Sequence, residues 1–233
     1  MNNKGLHVYP GVTPEQLEAL KDEAMDFMVL GSQDIKNNNL EIDEEGNVLV
    51  NEGTLLHGTT FNKKKDDEKI ESIAVNGIIT REFFGSKEKG GTYYHAEFYR
   101  ANRDMTLKEF LSDERAYFPK KDNGIIAFLV INSDVVSELF KNNSLEEGSN
   151  VTDEIRSLVE EGLVYHKDEL ENKTVAAIPI GVPTNCLSAV IVSDDIKEDK
   201  EKMERLHELF PKLYILDLKG KALVLPLNEE NNE

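Results

Sequence analysis

The chain is poor in cysteine, in tryptophan and in long apolar runs, and each shortage excludes some classes of protein. Cys186 is the single cysteine among 233 residues, and tryptophan is absent. One thiol can neither close an internal disulfide nor supply a thiolate-rich metal site, so nothing indicates an oxidising compartment. No apolar run approaches the length of a membrane span, and residues 1–10 lack the apolar segment of a signal peptide. We therefore expect a cytoplasmic protein that does not enter a membrane.

Positive charge is also scarce. The chain carries 27 Lys and Arg against 45 Asp and Glu, a formal net charge of −18 at pH 7. Such an acidic balance repels phosphate backbones and anionic membrane surfaces, so it argues against nucleic acid as a partner. The 39% of hydrophobic residues in a chain of this length is enough to build a sizeable core.

The motifs of several common sites are missing. No two histidines stand at metal-ligand spacing on a predicted helix, and no cysteine pair supports them, so we predict no metal site. The glycine-rich cradles of P-loop and dinucleotide-binding folds are absent too. Cys186 could in principle pair with a histidine as a nucleophile, but a lone cysteine beside an apolar strand is more often a small buried hydrophobe.

Apolar patterns predict an α+β chain in which helices alternate with strands. Helices are expected over residues 14–30, 68–76, 95–103, 151–162 and 196–210. Strands are expected over 40–42, 48–50, 55–56, 78–80, 125–131, 175–179, 187–192, 213–216 and 222–225. Because there is no repeat and no long linker, we predict one domain over 1–233, with a helical lead-in over 1–36 and a disordered tail over 228–233.

Two short stretches stand out as candidates for a site. The first is a strand, Leu55-Leu56, that leads directly into His57 and Gly58. A histidine at a strand end can present a ring nitrogen to a ligand hydroxyl, and a glycine beside it lets a ligand approach the backbone closely. The alternative is a strand end followed by a polar turn, with His57 satisfied locally. The second stretch, residues 90–94, predicts a tight turn into a strand that becomes a helix at 95.

In this order, the two stretches resemble the ADP-ribosyltransferase superfamily, in particular the branch of poly-ADP-ribose polymerases and diphtheria toxin. The resemblance extends over roughly residues 54–193 in the order of elements, although the specific motifs cover only a few residues. It implies a split mixed or antiparallel β-sheet core flanked by helices. It also implies that NAD is the substrate.

The resemblance gives roles to residues of both stretches. It implies that His57 bonds a ribose hydroxyl of NAD and that the Gly58 backbone pairs with the carboxamide, with Thr59 in the same cofactor-binding stretch. Tyr93 would stack on the nicotinamide ring, because a flat cationic ring suits an aromatic face, and Tyr94 or Tyr99 would close the pocket. The alternative for Tyr93 is an ordinary core tyrosine of a strand.

The sequence departs from the family at the usual catalytic glutamate. By register Ser188 stands where that glutamate would begin the strand after the last loop, and no acid occurs between Asn172 and Asp194. A serine can form a hydrogen bond but cannot offset the positive charge that develops on the ribose, as a carboxylate does. Glu97 or a residue of 146–171 is the alternative source of an acid.

The chain is therefore predicted to be an NAD-dependent mono-ADP-ribosyltransferase with His57, Tyr93 and Ser188 at the catalytic positions. Its partners would be NAD and a protein or small-molecule acceptor. An alternative, motivated by Ser188, is a catalytically inactive transferase-like binding module. A third candidate, an enzyme like the RNA 2′-phosphotransferases, shares the fold family, but the net charge of −18 argues against it.

Overall fold

An eight-stranded mixed sheet forms the centre of the fold in the computed structural model of the chain. The structure describes residues 9–10, 40–61, 64–79, 84–86, 91–93, 95–112, 124–132, 165–166, 175–179 and 181–227. In spatial order the sheet contains β10 (Tyr165–His166), β11 (Val175–Pro179), β7 (His95–Arg100), β3 (Thr54–Thr60), β9 (Ile125–Asn132), β13 (Leu187–Val192), β14 (Tyr214–Asp217) and β15 (Ala222–Val224). Neighbours are antiparallel except β13 and β14, which are parallel. The predicted α+β class with a mixed sheet is confirmed.

Smaller ladders and four helices surround this sheet. A three-stranded sheet contains β1 (Tyr9–Pro10), β6 (Gly91–Tyr93) and β5 (Phe84–Ser86), while β4 (Ile78–Ile79) pairs with β12 (Gly181–Val182) and β2 (Leu49–Val50) pairs with β8 (Met105–Thr106). The helices of the described residues are α1 (Lys64–Asn76), α2 (Leu107–Ser112), α3 (Asp194–Glu198) and α4 (Lys200–Leu209), and a 3-10 turn covers Thr184–Cys186.

Strand β9 occupies the centre of the sheet, as its continuous apolar sequence predicts. Residues from Ile126 to Val130 are all buried, with β3 on one side and β13 on the other. Because side chains alternate along a strand, the register defines two faces. Face one carries Leu56 and its partner Leu129, and face two carries His57 and its partner Phe128.

Different elements cover the two faces. On face one, Leu56, Leu129 and Ala189 belong to a buried cluster with residues of β2, β8 and α2. On face two, Phe128 packs against Phe210, the residue that ends α4, with ring centroids 5.3 Å apart. Burying a side chain of this size stabilises the fold by about 1.5–3 kcal/mol. The sheet is therefore the middle layer of the molecule.

The helix predicted over residues 95–103 is wrong. The structure has the strand β7 over His95–Arg100 instead. Helix-forming residues such as Ala96 and Glu97 misled the prediction, because intrinsic propensity is weaker than tertiary pairing. Strand β7 forms a five-residue ladder with β11 and two further pairs with β3.

The helix predicted over 196–210 is divided in two. Asp199 ends α3 and begins α4, and its carboxylate accepts a hydrogen bond from the Lys202 amide. The amides of the first helical turn have no partner within the helix, and a side chain that accepts a hydrogen bond from one of them is a helix N-cap. Two boundaries also differ from the prediction, since α1 begins at Lys64 rather than at 68 and β1 lies within the predicted helical lead-in.

Most of the other predicted strands are confirmed. They include the strands at 175–179 and 187–192 and the hairpin of β14 and β15. The predicted helices over 14–30 and 151–162, the tail over 228–233 and Tyr94 lie outside the described residues.

Gly77 fixes the end of α1. Its φ is +82°, and its amide donates to the Ile73 carbonyl at 2.9 Å. A Cβ at this position would lie 2.1 Å from the Val182 carbonyl oxygen, so the chain permits only glycine here. The Thr184 hydroxyl lies 3.0 Å from the Ile73 carbonyl oxygen, and this contact ties the loop before β13 to the end of the helix.

We predict that Gly77→Ala is much more destabilising than Gly46→Ala. Both glycines have nearly the same φ, +82° and +81°, but no atom lies within 4 Å of a Cβ at Gly46. The left-handed backbone alone costs about 1–2 kcal/mol for alanine, and the clash at Gly77 should add roughly 2 kcal/mol or more. Urea unfolding of both variants measures the difference. Equal losses in the free energy of unfolding would show that the structure around Val182 shifts to accommodate the alanine side chain at no energetic cost.

Asp217 holds the turn between β14 and β15. One carboxylate oxygen accepts from the amides of Lys219 and Lys221, both at 2.9 Å, and the other lies 3.4 Å from the Lys197 ammonium of α3. Burial alone would raise the pKa of Asp217, but the hydrogen bonds from Lys221 and Lys219 and the charge of Lys197 outweigh it. The pKa therefore lies below its ordinary value of 3.8.

This lowered pKa makes the contribution of Asp217 depend on pH. A carboxyl whose pKa is lower in the folded state stabilises fully above its unfolded pKa, and the contribution is lost as the pH falls through the folded value. We expect Asp217→Asn to be less stable than wild type near neutrality, with the difference in urea midpoint shrinking below pH 3.8. Glu201→Gln, which removes an exposed charge from α4, is the control. A difference for Asp217→Asn that is constant with pH would contradict the assignment.

Candidate functional site

The ladder between strands β3 and β7 is short. The ladder joins Leu55 to Arg100 and Leu56 to Tyr99, and within the described residues it ends there. Strand β7 keeps its ladder with β11 as far back as His95, and β3 keeps its ladder with β9 as far as Thr60. We call residues 57–60 of β3 and residues 95–98 of β7, between which the structure describes no ladder pair, the gap. The His57-Gly58-Thr59 stretch lies on its edge.

Gly58 is exposed in the middle of a central strand. No atom of the described residues lies within 4 Å of the position that a Cβ would occupy, and its φ is not in the left-handed region. Neither packing nor backbone conformation therefore requires glycine here, although glycine weakens a strand interior. A glycine in such a place permits the close approach of a ligand to the backbone.

His57 lies next to Gly58 and is half-buried on face two. Its ring centroid is 5.6 Å from that of Phe98 on β7, with an angle of 54° between the rings. Phe98 is only 1% exposed, so it supports the imidazole from the protein side. An imidazole held in this way can donate or accept a hydrogen bond at a ring nitrogen.

Thr59 is the buried member of the stretch. Its side chain lies on the same face as that of His57, opposite Ile126 of β9, and the residue is 5% exposed. Its hydroxyl oxygen is buried without a hydrogen-bond partner in the described part of the chain. A buried hydroxyl without a partner costs about 1–3 kcal/mol.

Tyr93 is not in the same sheet as His57. Tyr93 is the last residue of β6 and pairs with Phe84 in the three-stranded sheet, and Tyr94 lies outside the described residues. The expected junction of strand and helix is instead a junction of two strands, since β7 begins at His95. The backbone thus places Tyr93 two residues before the strand that borders the gap.

Ser188 lies at a bulge in β13. The residue is 7% exposed and its hydroxyl donates to the Leu129 carbonyl at 3.1 Å. Strand β9 separates β13 from β3, so the structure does not place Ser188 beside His57. The predicted catalytic role of Ser188 stays a prediction, while the hydrogen bond gives the side chain a structural role.

The sequence did not point to Phe98 as part of the site. It falls in the segment that was predicted to be helical, and a helix would not have placed it beside His57. The signal available was the aromatic pair Phe98-Tyr99 shortly after a glycine turn, because aromatic residues favour strands.

The described residues give little support to a cysteine nucleophile or to a metal site. Cys186 is buried, as predicted, and burial raises the pKa of its thiol to about 12, so the thiolate that a nucleophile needs is suppressed. Across the described ranges, no group of three or more His, Cys, Asp or Glu side chains could hold a metal ion. Nor does that part of the chain contain a helix long and apolar enough to span a membrane.

Comparison with known proteins identifies no relative of the chain. No protein-family model, no curated protein and no solved structure matches the chain significantly.

We predict that Gly58→Ala folds at least as stably as wild type. The space over Gly58 is open and its backbone suits any residue, so alanine should stabilise the strand by up to about 1 kcal/mol. Urea unfolding measures the change, with Gly77→Ala as the variant that should lose stability. A large loss at Gly58 would mean that the gap is closed in solution.

Proposed function

We propose that the chain is an NAD-binding protein of the ADP-ribosyltransferase type and that NAD binds in the gap. The observation that carries the proposal is Gly58, an exposed glycine in a central strand. Its Cβ position on face one is open among the described residues, and the neighbouring His57 places its imidazole on face two. A ligand with a flat polar end can lie against this backbone, since no side chain is in the way.

Each group of the stretch suits a part of NAD. The Gly58 backbone would pair with the nicotinamide carboxamide, and the imidazole of His57 would bond a ribose hydroxyl. Phe98 supports this imidazole at 5.6 Å between ring centroids. Tyr93 would contribute an aromatic face from the approach to β7, which suits the cationic nicotinamide ring.

The sheet also supports the finer fold proposal. A mixed sheet in which the ladder between two neighbouring strands ends early agrees with the split sheet that the resemblance implies. Two rungs hold β3 and β7 together, while each strand keeps a longer ladder with its other neighbour, β9 or β11. The proposed ADP-ribosyltransferase-like fold places the dinucleotide at this separation.

In the transferase reaction, the bond between the ribose carbon and the nicotinamide nitrogen breaks and nicotinamide leaves with the electron pair. An acceptor nucleophile then bonds to that carbon and gives up its proton. Glu97, a residue of the strand β7 that borders the gap, would supply the carboxylate that stabilises the developing positive charge.

A second candidate is an inactive binding module. The hydroxyl of Ser188 already donates to the Leu129 carbonyl, and the residue is 7% exposed. A side chain committed in this way does not replace the missing glutamate. In this candidate the protein binds NAD in the gap but does not transfer ADP-ribose.

We predict that the wild-type protein binds NAD and that His57→Ala and Gly58→Val each weaken binding about tenfold or more, or roughly 1.4 kcal/mol. Alanine removes a hydrogen bond, and valine fills the space that the ligand needs. Calorimetry measures the affinity, and NAD labelled in the nicotinamide measures its release.

Gly46→Ala is the matched control, because Gly46 is also exposed and no described atom lies within 4 Å of a Cβ there, but it lies in the turn between Asp43 and Asn47 and not on β3. Release that disappears in His57→Ala supports the transferase. Binding without release selects the inactive module. A wild type that neither binds nor cleaves NAD rejects both candidates.

A further inference from the structure

Helix α1 ends in a dipeptide that can modify itself. Asn-Gly occurs at 76–77 and at 123–124, and Asn123 lies outside the described residues. In this dipeptide the backbone nitrogen of glycine can attack the side-chain amide carbon of asparagine, because glycine has no Cβ to hinder the approach. Asn76 is therefore a candidate for a spontaneous covalent change.

The side chain of Asn76 is accessible to water. Asn76 is the last residue of α1 and is exposed, and Val75 beside it is 78% exposed. The Asn76 side-chain amide donates to the Ser72 hydroxyl at 3.2 Å. One hydrogen bond at an exposed position is a weak restraint, so the amide carbon is free to react when the attacking nitrogen reaches it.

The attacking nitrogen, in contrast, is held by the fold. The Gly77 amide donates to the Ile73 carbonyl at 2.9 Å, and Gly77 is buried. The Thr184 hydroxyl lies 3.0 Å from the Ile73 carbonyl oxygen and 3.1 Å from that of Ala74, so the loop before β13 holds the same turn. The reaction therefore requires the last turn of α1 to open, and helix ends open locally at a much lower free energy than the whole fold.

We infer that Asn76 is a deamidation site whose reaction is controlled by opening of the last turn of α1. In the open turn, the Gly77 nitrogen bonds to the side-chain amide carbon of Asn76. The bond from this carbon to the side-chain nitrogen breaks, and ammonia leaves with the proton of the Gly77 nitrogen. Water then opens the cyclic imide at either carbonyl, which gives aspartate or isoaspartate. This inference does not depend on the proposed function.

Neither product suits the closed turn. Each adds a negative charge at the C-terminal end of α1, where the helix dipole disfavours it and the last turn contains no basic residue. Isoaspartate also lengthens the backbone by one methylene directly before Gly77. Gly77 has little room to move, because a Cβ there would lie 2.1 Å from the Val182 oxygen and 2.6 Å from the Pro183 Cα. The modification should therefore loosen the junction of α1 with β4 and β12.

Peptide mapping by mass spectrometry tests the site after the folded protein is kept in mildly alkaline heavy-oxygen water. Incorporated isotope identifies molecules that reacted during the incubation. Wild type should form aspartate and isoaspartate at Asn76. Thr184→Val removes the hydroxyl that holds the turn, so it should accelerate the conversion about fivefold, the size expected for one lost hydrogen bond.

Thr106→Val is the matched control, because it removes a threonine hydroxyl from the end of another helix. That hydroxyl lies 3.3 Å from the Glu109 amide of α2. Thr106→Val should leave the rate at Asn76 unchanged. If it accelerates the conversion as much as Thr184→Val does, global unfolding controls the reaction and the inference is overturned.

Two further results would also overturn the inference. One is an Asn76 that stays intact in wild type and in Thr184→Val while an unstructured peptide of residues 70–82 converts. The other concerns the product, which can be separated by its extra negative charge. The isoaspartate form should unfold at a lower urea concentration than Asn76→Gln, whose longer side chain forms the cyclic imide far more slowly. Equal midpoints would show that the closed turn accommodates the product.

Discussion

The ladder between β3 and β9 is the constraint on which the candidate site depends. All residues of β3, from Thr54 to Thr60, pair with β9, and β9 is buried at the centre of the sheet. One edge of β3 is therefore fixed by backbone hydrogen bonds and a packed core. That rigid edge allows the opposite edge to separate from β7 after Leu56 without loss of order in the strand. Because β9 fixes one edge of β3, the residues along its other edge are pre-organised for a ligand, and pre-organisation reduces the entropy cost of binding.

Much of the sheet could be predicted from the sequence, because long apolar segments such as Ile125–Asn132 leave little choice of structure. The site was only partly predictable. His57 and Gly58 stood out as residue types, but the separation of β3 from β7 depends on which strands pair, and pairing over long sequence distances leaves no local pattern. Phe98 shows the difficulty, since its segment has helix-forming residues and becomes a strand only through its partners β11 and β3. The break at Asp199 was missed because a single capping residue outweighed a continuous helical pattern.

Residues of the same type behave differently in the scaffold and at the site. Gly77 is required by its φ and by the contact with Val182, whereas nothing in the described surroundings requires Gly58 to be glycine. The hydroxyl of Ser188 has a carbonyl partner, and that of Thr59 has none among the described residues. Two neighbouring positions on β3, which pairs with β9 along its whole length, thus carry unfavourable contributions, of about 0.5–1 kcal/mol for a strand glycine and 1–3 kcal/mol for the hydroxyl. Residues that lower the stability of the fold in this way are typical of functional sites.

The short edge strand β15 has a consequence for how copies of the chain meet. It ends at Val224 and is followed by Leu225 and Leu227, which are 65% and 60% exposed. An exposed edge with apolar residues invites a second chain to extend the sheet, and such growth leads to aggregation. Pro226, between the two leucines, has no amide hydrogen to donate, so a ladder cannot continue through this segment. The net charge of −18 adds mutual repulsion between copies. In the part of the chain that the structure describes, the sheet thus ends at β15 through local chemistry.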